Sequence, residues 1–129
     1  MKDLQSRADI LFCVLPSTPE TFELIDAGFL RGCKKGVGIV NAGRGTLIND
    51  NDLLAALDDG QVSGAILDVF HSEPLSEDHG YWSHPKVLVT PHVAALTYPE
   101  TGAEHVIASI EAIEHGETPP HLVDWERGY

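Results

Sequence analysis

Four residues have the types and settings to do chemistry: Arg44, Asp68, Glu73 and His92. Arg44 stands between Gly43 and Gly45, just behind Ala42. Small neighbours let a ligand approach the backbone, and a guanidinium can grip a carboxylate through two parallel hydrogen bonds. The plainer alternative is a loop arginine in a structural salt bridge, and position alone does not separate the two. His92 follows Pro91, and Glu73 precedes Pro74. A carboxylate on one imidazole nitrogen fixes the tautomer and favours the charged ring. The other nitrogen can then give a proton to a developing alkoxide. Against this stand a capping or surface histidine and, for Glu73, a solvated charge in the acidic stretch with Glu77 and Asp78. Asp68 follows Ile66 and Leu67 and precedes Val69 and Phe70. A buried acid in such a run needs partners, either a ligand amide or the N–H groups of a turn.

Other chemistries find less support. Gly36-Val37-Gly38 and Gly43-Arg44-Gly45 lack the third glycine of a dinucleotide fingerprint, and no G-x-x-x-x-G-K-[ST] occurs. Seven histidines show no H-E-x-x-H and no compact ligand spacing, so no metal site is expected. Cys13 lies in an apolar run and reads as an inert core residue. Cys33 adjoins Lys34 and Lys35, a setting that could lower its pKa, but no base is indicated beside it.

The elements that must position these groups alternate between two periods. Continuous apolar runs at 8–15, 36–40, 64–69 and 86–90 read as short strands, the first fitting one buried on both faces as in a parallel sheet. Ser17-Thr18-Pro19-Glu20 reads as a helix start before the stripe Phe22, Ile25 and Phe29. Asn49-Asp50-Asn51-Asp52 caps a second helix through Leu57, stopped at Asp59-Gly60. Thr97-x-x-Glu100 matches a capping box for a third helix, with Pro99 in its first turn. Ala103, Val106, Ile107, Ile110 and Ile113 fall on one face of that helix, and Gly116 ends it. The tail from 117 to 129 has no period and is expected to be extended. Strands alternating with helices indicate a parallel α/β sheet. Ligands of such sheets bind beyond the carboxyl ends of the strands. Residues 16–19, 41–45, 68–73 and 91–92 should therefore gather along one edge.

Composition narrows the partners. The 129 residues suit one compact domain. Twenty acidic against eight basic residues give a net charge of −12, which argues against nucleic acid and against anionic membranes. No apolar run approaches the roughly 20 residues that span a bilayer. The start, Met1-Lys2-Asp3-Leu4, lacks the apolar region of a secretion signal. Cys13 and Cys33 do not suggest a disulfide framework, so a reducing, cytoplasmic setting is the default expectation.

Four segments in order, ADILFCVLPSTPET, VNAGRGTLINDNDLLAAL, GAILDVFHSEP and HPKVLVTPHVAALT, resemble the D-isomer-specific 2-hydroxyacid dehydrogenase family. The stretch WSHPKVLVTPHVAALTYP and the ending ERGY are most similar to its glyoxylate/hydroxypyruvate-reducing branch. The resemblance implies the C-terminal half of a Rossmann-type parallel sheet with flanking helices, a return helix and a tail. It implies that 1–96 is the second half of an NAD(P)-binding domain and that 97–129 packs on a substrate domain. It also implies NAD or NADP as cofactor, reduction of a small 2-oxo acid to the 2-hydroxy acid, and a homodimer in the full-length form. Arg44 is then similar to the arginine that binds the substrate carboxylate and carbonyl, His92 to the acid/base, and Glu73 to the partner of His92. Leu15, Pro16, Ser17, Thr18, Glu20, Ala42, Gly43, Arg44, Asp68, His92, Ala94 and Ala95 are similar to cofactor-lining positions, with Asp68 on the nicotinamide carboxamide.

Two departures stand out. Gly43 replaces a usual Ala or Ser, a small-for-small change, and Ala94-Ala95 replaces a common Gly-Gly. The family's N-terminal substrate domain and its G-x-G-x-x-G turn do not occur in this sequence. The expectation is that the 129-residue chain alone is inactive, binds NADH weakly and self-associates. A nucleotide-sensing corepressor built on the same fold, or an inactive fragment, are the alternative functions.

Overall fold

The structure, a computed structural model, describes residues 2–128. Four strands, β1 (Ile10–Cys13), β2 (Val37–Asn41), β3 (Val62–Leu67) and β4 (Val87–Val89), form one sheet in the order β1-β2-β3-β4. Every pairing is parallel. Helices α1 (Lys2–Arg7), α2 (Ala27–Arg31), α3 (Asp50–Asp58), α4 (Gly80–Ser83) and α5 (Pro99–Glu114) alternate with the strands or follow them. This is the parallel α/β sheet that the alternation predicts, of the Rossmann-like type that the resemblance implies. The described residues divide into two compact units between Ala94 and Ala95.

β1 and β4 are shorter than their apolar runs, and the strands are not buried on both faces. β1 buries Leu11 and Cys13 but leaves Ile10 and Phe12 67 % and 63 % exposed. β3 likewise buries Val62, Ala65 and Leu67 and exposes Ile66. Alternating burial is the mark of a sheet packed on one side. On the packed side, Leu30 of α2 and Leu53 and Leu57 of α3 meet Val37, Ile39, Val62 and Leu67 in one apolar cluster.

Helix starts show where local chemistry overrides pattern. The helix expected from Pro19 does not form there. Thr21 Oγ1 donates to Pro16 O at 2.6 Å and accepts from Thr18 N at 2.8 Å, turning the chain instead. Glu23 then takes φ +48°, and Ile25 bridges to Ile48, so helical geometry is excluded until Asp26 caps α2 through Phe29 N. The α3 cap is as expected: Asn49 accepts from Asp52 N. The capping box at Thr97 is not made. Tyr98 is the N-cap of α5, without a side-chain bond. The box would need Tyr98 to be helical, and a residue before proline is driven to extended backbone. The tail is not extended throughout, because Asp124 accepts from Glu126 N and Arg127 N in a closing turn.

Candidate active site

The site is built on the loops that leave β2, β3 and β4. Asn41 ends β2 with 1 % exposure, and its side chain folds the next loop back on itself. Its Oδ1 accepts from Gly43 N at 3.1 Å, and its Nδ2 donates to Arg44 O at 3.0 Å. Arg44 is thus presented with extended backbone, its Nη1 donating to Gly43 O at 2.7 Å. Sequence reasoning assigned Asn41 no role. An amide at the end of an apolar strand, three residues before an arginine, was the available signal.

The glycines beside Arg44 are needed for close approach. A Cβ on Gly45 would stand 1.9 Å from the carbonyl carbon of Phe70, so only glycine lets the β2 loop rest on the β3 loop. A Cβ on Gly43 would stand 2.9 Å from Leu15 O, so replacing the family's usual Ala or Ser is more than a small-for-small change.

Glu73 and His92 meet as the family resemblance implies. Glu73 Oε1 accepts from Phe70 N at 2.9 Å, which fixes the carboxylate to its own loop. His92 Nδ1 donates to Glu73 Oε2 at 2.7 Å. His92 adopts φ +54°, a left-handed conformation that costs a non-glycine residue on the order of 1 kcal/mol and must be held by its surroundings. The surroundings are Asp68, which is 4 % exposed. Its Oδ1 accepts from Thr90 Oγ1 at 2.5 Å and Val93 N at 2.9 Å, and its Oδ2 accepts from Ala94 N at 2.9 Å. Of the two partner types open to this buried acid, the turn N–H groups are present.

Arg44, Glu73 and His92 line one open cavity of about 320 Å³ together with Ser17, Thr46 and His71. Ser17 Oγ and Thr46 Oγ1 are hydrogen-bonded at 2.8 Å, joining the β1 and β2 loops. Of the other expected cofactor positions, Thr18 is buried and bonded to Thr21, while Leu15 and Glu20 are exposed. Ala42 N donates to Cys13 O, Ala94 bonds Asp68, and Ala95 begins the second unit.

Residues 1–94 match the family described as "D-isomer specific 2-hydroxyacid dehydrogenase, NAD binding domain". The chain belongs to this family. The glyoxylate/hydroxypyruvate reductase A of Yersinia enterocolitica serotype O:8 / biotype 1B is 44 % identical over 120 residues, 93 % of this chain and 38 % of the relative. A D-isomer specific 2-hydroxyacid dehydrogenase from Xanthobacter autotrophicus Py2, solved with NADPH and MES, superposes with a TM-score of 0.96 at 38 % identity, covering 99 % of this chain and 53 % of that one. The NADPH-dependent glyoxylate/hydroxypyruvate reductase of Sinorhizobium meliloti, solved with NADP and sulfate, gives 0.93 at 37 % identity, covering 99 % of this chain and 42 % of that one. This dehydrogenase-family chain therefore spans from about two-fifths to about half of these relatives' length.

Electrostatics separates the site of this dehydrogenase-family chain from its other ionisable groups. The hydrogen bond from His92 holds the Glu73 carboxyl below its ordinary value of 4.5, helped by Phe70 N and the nearby Arg44 charge. Burial opposes ionisation of Asp68, yet Thr90, Val93 N, Ala94 N and His92 outweigh it and keep its pKa below 3.8. The cysteines go the other way. Burial pushes the Cys13 thiol up to about 11 and also raises Cys33. Lys34 does not activate Cys33, because its ammonium pairs with Asp9 at 2.5 Å and the thiol is 8 % exposed. Among the described residues, no group of His, Cys, Asp and Glu forms a metal site, and no helix is long and apolar enough to cross a membrane.

Proposed function

We propose that this chain carries the acid/base and carboxylate-binding part of a reductase that converts a small 2-oxo acid to the 2-hydroxy acid with NAD(P)H. The single observation behind this reading is the 2.7 Å His92–Glu73 pair opening on the same cavity as Arg44. Arg44 binds the substrate carboxylate and polarises the adjacent carbonyl. Glu73 accepts from Nδ1, so the outer nitrogen, Nε2, is the one left to give its proton to the developing alkoxide. After transfer the ring keeps its Nδ1 proton, the tautomer that Glu73 selects.

The residues fit a dinucleotide of this kind. Pro16, Ser17, Ala42 and Ala94 offer backbone and small side chains at the carboxyl ends of β1, β2 and β4. Asp68 Oδ2 has one donor and retains acceptor capacity for a carboxamide. Bound there, the nicotinamide supplies the hydride. Asp68 acts chiefly through its hold on the His92 loop. The printed activities of the Yersinia and Sinorhizobium relatives make glyoxylate and hydroxypyruvate the substrates to try first. We read 1–96 as the second half of the NAD(P)-binding domain and 97–129 as the return helix and tail of a homodimeric, cytoplasmic enzyme. Small acids, rather than nucleic acid or membrane, are its partners.

The test joins this chain to the preceding portion of the Sinorhizobium reductase and follows NADPH oxidation with either acid. Arg44→Ala and His92→Ala should each lower kcat/KM by roughly 10²–10⁴. Near-parental rates in both would sink the role assignments.

A further inference from the structure

Outside the cavity, Asp50, His79 and Tyr81 form a closed ring of contacts, two of them hydrogen bonds and the third a longer His–carboxylate contact. Tyr81, 2 % exposed, donates its hydroxyl to Asp50 Oδ1 at 2.9 Å. His79 Nε2 lies 3.4 Å from Asp50 Oδ2, and His79 Nδ1 accepts from Tyr81 N at 3.3 Å. Because Nδ1 accepts, the hydrogen of the neutral ring sits on Nε2, the nitrogen that faces Asp50 Oδ2. One tautomer therefore satisfies both contacts. The His79 and Tyr81 rings pack with centroids 4.5 Å apart, tilted by 50°.

The ring's place in the chain gives it a consequence for the site. Asp50 is the first residue of α3, directly after the loop that presents Arg44. His79 is the N-cap of α4, directly after the loop that presents Glu73. At their near ends these loops leave neighbouring strands, where Asn41 pairs with Leu67. The Asp50–His79–Tyr81 ring ties their far ends. His71 Nε2 donates to Ile48 O at 2.7 Å between the two ties. Tyr81 also packs on Phe70, with ring centroids 6.5 Å apart, and Phe70 N is the donor that holds Glu73 Oε1. Two loops pinned at both ends cannot slide past each other, and polar contacts anchored on the buried Tyr81 ring are directional where apolar packing is not.

We propose that Asp50, His79 and Tyr81 are positioning residues that keep Glu73 seated on His92 and in register with Arg44. The link to turnover rests on the function proposed above; the positioning claim can be tested without turnover. The probe is the Glu73 carboxyl in the isotope-labelled 129-residue chain, titrated by carbon NMR. In the parent its midpoint should lie below 4.5, since it depends first on the His92 bond. His79→Ala and Tyr81→Phe should move that midpoint up towards 4.5, because Glu73 leaves His92 for part of the time. His79→Asn should restore the parental midpoint, since an amide can cap Tyr81 N and still donate to Asp50. A Glu73 midpoint unchanged in His79→Ala and Tyr81→Phe, with only the melting temperature lowered, would overturn the proposal and leave the ring a purely structural brace. A parental midpoint at or above 4.5 would instead remove the Glu73–His92 pair on which the functional reading stands.

Discussion

Between Asn41 and Ala94, the polar side chains of interest are held by definite partners, Asn41 within its own loop and Asp68 and Glu73 also across segments. Asn41 grips Gly43 and Arg44, Asp68 grips Val93 and Ala94, and Glu73 joins Phe70 to His92. Segment 95–128 is built differently. α5 has no buried residue, and Val106, Ile107, Ile110 and Ile113, its apolar stripe, are each more than half exposed. An apolar stripe states which face prefers burial but supplies no partner for it. Cross-segment hydrogen bonds, by contrast, name both partners and fix their register. The catalytic candidates thus sit where the chain supplies its own partners, and the exposed stripe sits where no partner is seen among the described residues.

That contrast can be broken or sharpened by mutation. The largest effect is expected at Gly45. Its Ala variant forces the β2 and β3 loops apart and should lose about 4 kcal/mol in chemical denaturation, together with the Glu73–His92 pairing. Leu57→Ala, at 0 % exposure in α3, should cost about 3 kcal/mol by the same measurement, without uncoupling Glu73 from His92. Asp68→Asn should cost about 1–3 kcal/mol at neutral pH, because turn N–H groups lose an ionised acceptor. Asp68 has a folded pKa below 3.8, so its contribution is complete above that value and is lost as pH falls through the folded pKa. The Asn variant should therefore show a flatter acid limb in stability measured against pH; an unchanged limb would contradict the network. The smallest effect on stability is expected in α5. Ile107→Ser with Ile110→Ser should change the denaturation free energy by less than about 0.5 kcal/mol while reducing self-association in light scattering. A large loss of stability there would show that the two regions are not so different.

Much of the site was legible because its chemistry needs particular residue types at strand ends. Arg44 between glycines, and Glu73 and His92 after successive strands, could be singled out before any fold was known. The need of Asp68 for partners was legible, but the choice between a ligand amide and turn N–H groups was not. Asn41, the Thr18–Thr21 turn and the Asp50–His79–Tyr81 ring went unread. Asn41 and the Thr18–Thr21 turn bond only two or three residues away, in turns that several residue types can make, while the ring needs Asp50 and Tyr81 to meet across 31 positions of the chain. Cys33 beside two lysines looked activated until burial and the Lys34–Asp9 pair were known.

Hydrophobic period, proline and glycine by themselves determined the alternating strands and helices, their parallel order and the edge at which polar residues collect, because these follow from local backbone preference and apolar pattern. Only the tertiary structure decided which face of each strand is covered and how closely the β2 and β3 loops approach at Gly45. It also decided which nitrogen of His92 is taken by Glu73, because all three depend on distances between segments far apart in the chain.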